Sequence, residues 1–191
     1  MSPRPGDPHG YAHRMASDLA RLLDPSYLGD LTTRTIDDVR HMRSECQEVE
    51  TGLSMLRRLA QGRLDIVGME LTRRAQGGDP SDLPDLIARL PAVLSDRTRS
   101  PGVGRLPQLM TSGLQPAELE AELDQIVGAS HIAELPSVDD DHLRTMTDQL
   151  EAFEHKVSKS RHDLFERIDA LQAEITRRYK TGEATVDSLL A

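Results

Sequence analysis

Two stretches of this chain run for more than forty residues without a helix breaker of consequence. No proline occurs between Thr35 and Pro80, and neither proline nor glycine occurs between Ser137 and Gly182. Each is too long for a strand, and each carries apolar residues at alternating intervals of three and four. In the first, Val39, Cys46, Leu53, Ala60 and Val67 occupy heptad position a, with Met42, Val49 and Leu56 at d and Arg63 and Glu70 interrupting. In the second, Leu143, Leu150, Val157, Leu164 and Leu171 are a and Met146 and Phe153 are d, with Ser160, Arg167 and Glu174 interrupting. Apolar residues sustained over five heptads predict a coiled coil. Both starts carry a helix-capping pattern, Thr35-Ile36-Asp37-Asp38 and Ser137-Val138-Asp139-Asp140, and Gly77-Gly78 stops the first helix. The lengths are about 42 residues, some 63 Å, and about 45 residues. Two such helices joined by a connector close as an antiparallel hairpin, so the expected fold is all-α.

The remaining sequence divides around these helices. Residues 1–14 are rich in proline and glycine and read as a flexible tail; residues 15–34 read as a short helix followed by the turn DPSYLGDL (24–31). The first long helix takes 35–76. Residues 77–136 hold seven of the eleven prolines and read as a connector with short helices, among them the amphipathic pieces Asp85–Leu94 and Ala117–Val127. The second long helix takes 137–181, and 182–191 is a C-terminal tail.

Composition narrows the function. Lys plus Arg total 23 against 32 Asp plus Glu, a net charge of −9, which argues against direct DNA binding or an anionic membrane surface. Only 3% of residues are aromatic, with no tryptophan, too few for a typical sheet-based enzyme core. The single Cys46 excludes an internal disulfide and a multi-cysteine zinc site, and it reads as a small buried seam residue. No phosphate loop and no histidine–carboxylate cluster is present, so neither catalysis nor a metal is expected. No apolar run approaches the roughly 18 residues of a membrane span, and the N-terminus has no apolar signal region. The expected location is the cytoplasm.

A polar stripe lies beside each seam. Glu50, Ser54, Arg57, Gln61 and Asp65 follow at intervals of 4, 3, 4 and 4, and Glu154, Ser158, Arg161, Phe165 and Asp169 repeat those intervals. Both sets fall at heptad positions e, b, e, b and f. In an antiparallel pair e faces e, so both stripes flank one side of the hairpin. These residue types suit a guanine nucleotide. A carboxylate accepts from the N1–H and N2–H2 donors, and arginine forks to O6 and N7, stacks on bases or pairs with phosphate. Residues 50–65 carry a local net charge of +1 and residues 154–169 a net of 0, which tolerates an anion on an acidic chain. Without a ligand, the like charges of Arg57 and Arg161 are expected to hold that side open. The plainer reading is a solvated flank on a structural coiled-coil adaptor that binds no small ligand.

The pattern Glu50-x3-Ser54-x2-Arg57-x3-Gln61-x3-Asp65 resembles the signature of the RsiG family of cyclic di-GMP-dependent anti-sigma factors. The resemblance extends through DPSYLGDL (24–31) and residues 49–74 and returns at Glu154–Asp169, with Phe165 standing where the signature has glutamine. It implies that two molecules of cyclic di-GMP bind to the two stripes. It further implies that the liganded protein sequesters a WhiG-type sigma factor, so that this second messenger represses transcription of sporulation genes.

Overall fold

The computed structural model describes residues 19–78 and 117–184. The regular elements are α1 (Ile36–Ala75), α2 (Ala117–Ile126) and α3 (Asp140–Thr181), with 3-10 segments at Leu31–Thr33 and Ala129–Ser137. Residues 19–23 are also helical, and no strand occurs among the described residues. The N-terminal tail 1–14, residues 185–191 of the C-terminal tail 182–191 and the connector piece Asp85–Leu94 lie outside the described residues.

Helices α1 and α3 pack against each other as an antiparallel hairpin, the fold the heptads predict. Their ends are fixed by local chemistry. Thr35 Oγ1 accepts from the Asp38 backbone N–H at 3.1 Å while Asp38 Oδ2 accepts from the Thr35 N–H at 3.1 Å, a reciprocal capping box at the start of α1. At α3 the cap is Asp139, whose Oδ1 accepts from the His142 N–H at 2.8 Å. Ser137 is excluded from that role because it ends the 3-10 segment, where its hydroxyl donates to the Glu134 carbonyl. Helix α1 stops at Gly77, whose φ of 84° lets Gly77 and Gly78 donate to the Arg74 and Arg73 carbonyls.

The described chain forms two compact units. One holds 19–54, 117–118 and 158–184; the other holds 55–78 and 119–157. In the first, Val39, Met42, Cys46, Val49 and Leu53 of α1 are buried, as are Leu164, Leu171 and Ile175 of α3. Leu22 of the helical stretch 19–23 is also buried there. In the second, Leu56, Ala60, Ile66 and Val67 of α1 are buried together with Leu143, Leu150, Phe153 and Val157 of α3, and α2 adds Leu119 and Leu123. Each leucine so buried is worth about 1.5–3 kcal/mol. Each unit therefore has three layers: two antiparallel half-helices and a short helical segment laid over them.

The interrupted d positions hold that third layer in place. In the second unit Arg63 donates to the Leu123 and Val127 carbonyls at 3.0 and 2.7 Å and to Asp124 at 2.6 Å. In the first, Arg167 donates to the Leu23 carbonyl at 2.6 Å. Arg74 donates to the carbonyls of Leu135 and Val138, and Arg178 to those of Leu31 and Arg34. Counterparts lie 104 residues apart, as Arg74 and Arg178 or Leu31 and Leu135 do. These arginines, Arg63 and Arg167 at d and Arg74 and Arg178 at a, tie backbone carbonyls of the overlying segments to the long helices.

Candidate functional site

The two stripes meet inside the units, one cluster in each. In the first unit, Arg161 on α3 donates through Nε and Nη2 to Glu50 Oε1 on α1, at 3.1 and 2.9 Å. Ser54, one turn on from Glu50, donates its hydroxyl to the same oxygen at 2.6 Å. The Phe165 ring centroid lies 5.5 Å from the Arg161 guanidinium carbon. Ser158 is half-buried on this helix, and Asp169 is exposed at its far end.

In the second unit the roles cross over. Arg57 on α1 donates through Nε to Glu154 Oε1 on α3 at 2.7 Å, and Gln61 donates its amide to the same oxygen at 3.0 Å. Asp65 follows one turn later on α1, half-buried. Each ion pair joins two e positions, which is the contact an antiparallel pair brings together. Their shielding differs: side-chain exposure is 20% for Arg161 and 15% for Glu50, against 39% for Arg57 and 21% for Glu154.

This geometry corrects the expectation of uncompensated like charges. Neither arginine lacks a counter-charge, because the glutamate of the opposite helix neutralises it. The clusters hold themselves closed across the two helices. The Arg57–Glu154 pair, with its arginine 39% exposed, is the more screened by solvent of the two.

A second set of charged residues flanks the stripes and was not singled out from the sequence. Glu70 accepts from Arg73 at 2.8 Å twice and from Arg74 at 2.7 Å, and Glu174 accepts from Arg177 at 2.9 Å twice and from Arg178 at 2.6 Å. The repeated signal is Glu-x-Thr-Arg-Arg, at 70–74 and 174–178. It lies twenty residues beyond Glu50 and Glu154, the first glutamate of each stripe. The bonds from Arg177 and Arg178 hold the Glu174 carboxyl down to about 2, from an ordinary 4.5. At Glu70 burial pushes upward, but the hydrogen bonds from Arg73 and Arg74 outweigh it and the carboxyl ends below its ordinary range. Arg74 and Arg178 in these sets also fasten the hairpin to its overlying segments through the carbonyl bonds above. Among the described residues no group of three or more His, Cys, Asp or Glu could hold a metal ion. No helix is long and apolar enough to cross a membrane, again among the described residues.

The described chain is thus a helical hairpin with two crossed Glu–Arg clusters. A family model described as RsiG-like matches residues 25–94 and 129–191, and the chain belongs to that family. No curated protein matches the chain. Membership makes it a regulator of the anti-sigma-factor class, with a sigma factor as its partner.

Proposed function

We propose that the protein is an anti-sigma factor gated by cyclic di-GMP. It takes up two molecules of this nucleotide on Glu50, Ser54, Arg57, Gln61, Asp65, Glu154, Ser158, Arg161, Phe165 and Asp169. In the liganded state it sequesters a WhiG-type sigma factor and represses sporulation genes, acting in the cytoplasm. The observation that carries this reading is the duplicated e–e pair, Glu50 with Arg161 and Arg57 with Glu154. Guanine's edge presents acceptors at O6 and N7 beside donors at N1 and N2, so it complements a carboxylate and a guanidinium held side by side. When the base enters, arginine exchanges a carboxylate for O6 and N7, and the glutamate receives N1–H and N2–H2 in return. The arginines and the serine hydroxyls also suit the phosphates, which bring two charges per nucleotide. The net charge of −9 suits a partner whose promoter-binding surfaces are basic.

Titration calorimetry of the full chain with cyclic di-GMP tests the proposal. The expected result is two nucleotides per chain, with no binding of cyclic di-AMP. Adenine lacks the N2 amine and turns an N1 acceptor toward the carboxylates, which leaves both sides without a donor. Equal binding of the two nucleotides refutes the carboxylate reading. Absence of binding to either favours the structural adaptor.

A further inference from the structure

The two clusters are built on the same intervals but do not have the same chemistry, and the difference centres on one residue. Gln61 donates an amide hydrogen to Glu154, so Glu154 has a second donor and Arg57 needs only its Nε to hold it. At the equivalent place Phe165 has no donor to offer. Glu50 is held instead by two nitrogens of Arg161. Phe165 is also 43% exposed, one of two large apolar side chains left open among the described residues, and the other, Leu59, is not part of either stripe. An exposed ring on a coiled-coil flank contributes little to packing. This one lies with its centroid 5.5 Å from the Arg161 guanidinium, close enough for a cation–π contact.

We infer that Phe165 is a base-stacking residue, and that Arg161 and Phe165 together form a platform for one guanine of the ligand in the first unit. The second unit, with Gln61, grips its base by hydrogen bonds alone. The inference rests on the guanine-nucleotide reading of the clusters and adds a specific residue and mode of contact. Stacking suits this unit because Phe165 stands where the other unit has the hydrogen-bonding Gln61, and its exposed ring lies against the Arg161 guanidinium. A π-face needs no donor, so it supplies affinity that hydrogen bonding lacks here, while the carboxylates keep the selectivity for guanine.

The chain has no tryptophan, which makes a direct test possible. Phe165→Trp places a single indole on the platform, and cyclic di-GMP is expected to quench its emission as guanine stacks on it. Phe165→Leu keeps an apolar side chain without the π-face, and calorimetry is expected to show one of the two sites weakened by roughly 5- to 150-fold. The melting of the free protein is expected to change little in both variants because the ring lies outside the a/d seam and is 43% exposed. Binding of cyclic di-GMP at full strength by Phe165→Leu, with no change in emission of saturated Phe165→Trp, would overturn the stacking role and leave the nucleotide reading intact. Failure of the wild-type chain to bind cyclic di-GMP would overturn both.

Discussion

Replacing Glu70 by alanine should destabilise the hairpin more than any change in the stripes. The Glu70 side chain is fully buried, that of Arg73 is 2% exposed and that of Arg74 is 8% exposed. Its carboxylate accepts three charge-assisted hydrogen bonds at 2.7–2.8 Å. After the substitution Arg74 still has Asp140 and the carbonyls of Leu135, Pro136 and Val138. Arg73 loses two charge-assisted bonds to Glu70 in a buried setting. Breaking a buried pair from one side typically costs about 3–5 kcal/mol. For a chain of this size each kcal/mol moves the melting point by about 2–4 °C, so the expected drop is about 6–20 °C. The internal control is Glu174→Ala. There Arg177 is 41% exposed, so water replaces much of what it loses, and it keeps Glu183 as an acceptor. A loss of about 1–2 kcal/mol is expected. Thermal melts followed by circular dichroism decide the matter. A Glu70→Ala protein melting within 2 °C of wild type, or a Glu174→Ala protein losing as much, would refute the argument from burial.

Arg57→Ala and Arg161→Ala should each weaken cyclic di-GMP by about 10- to 150-fold, the loss of a charge-assisted contact worth about 1.5–3 kcal/mol, with the helical content of the free protein unchanged; calorimetry and circular dichroism measure the two effects. Acid should destabilise the chain through its clamp carboxylates. Because the folded Glu174 carboxyl titrates near 2 and the unfolded one near 4.5, its contribution is complete above about pH 5 and fades as the pH falls from 4.5 toward 2. Thermal melts of Glu174→Gln across that interval should therefore fall less steeply than those of wild type.

The hairpin was legible because apolar spacing reports directly on which face of a helix is buried. Val39, Cys46 and Leu53, or Leu143, Leu150 and Val157, announce their seams without reference to anything else in the chain. The direction of the pairing was legible as well, since two stripes at matching e positions share a side only when the helices run antiparallel. What the sequence hid was tertiary. Arg63 reads as a fault in a seam because two of its acceptors are the backbone carbonyls of Leu123 and Val127, and carbonyls carry no sequence signal. Glu70 reads as one because its donors, Arg73 and Arg74, show their burial only in the folded chain. The repeat of Glu-x-Thr-Arg-Arg was available as a hint, yet one ion-paired motif on a helix surface looks like many others until its burial is known. The neutralisation of Arg57 and Arg161 was missed for a related reason. Matching stripe positions set Arg57 beside Arg161, while each guanidinium reaches the glutamate seven residues before its counterpart on the other helix, a distance set by the antiparallel register.

Ligand and partner bound to one scaffold must tighten each other by the same factor if they are coupled at all. The affinity of the full chain for a WhiG-type sigma factor, measured with and without saturating cyclic di-GMP, is the most direct test of a ligand-gated anti-sigma factor. The expected gain with nucleotide is about 5- to 150-fold, the usual span of such coupling, and the same factor should appear in the affinity for cyclic di-GMP when sigma factor is present. The Arg57→Ala protein should stay near the ligand-free affinity. Sigma factor bound equally well with and without nucleotide would contradict the account.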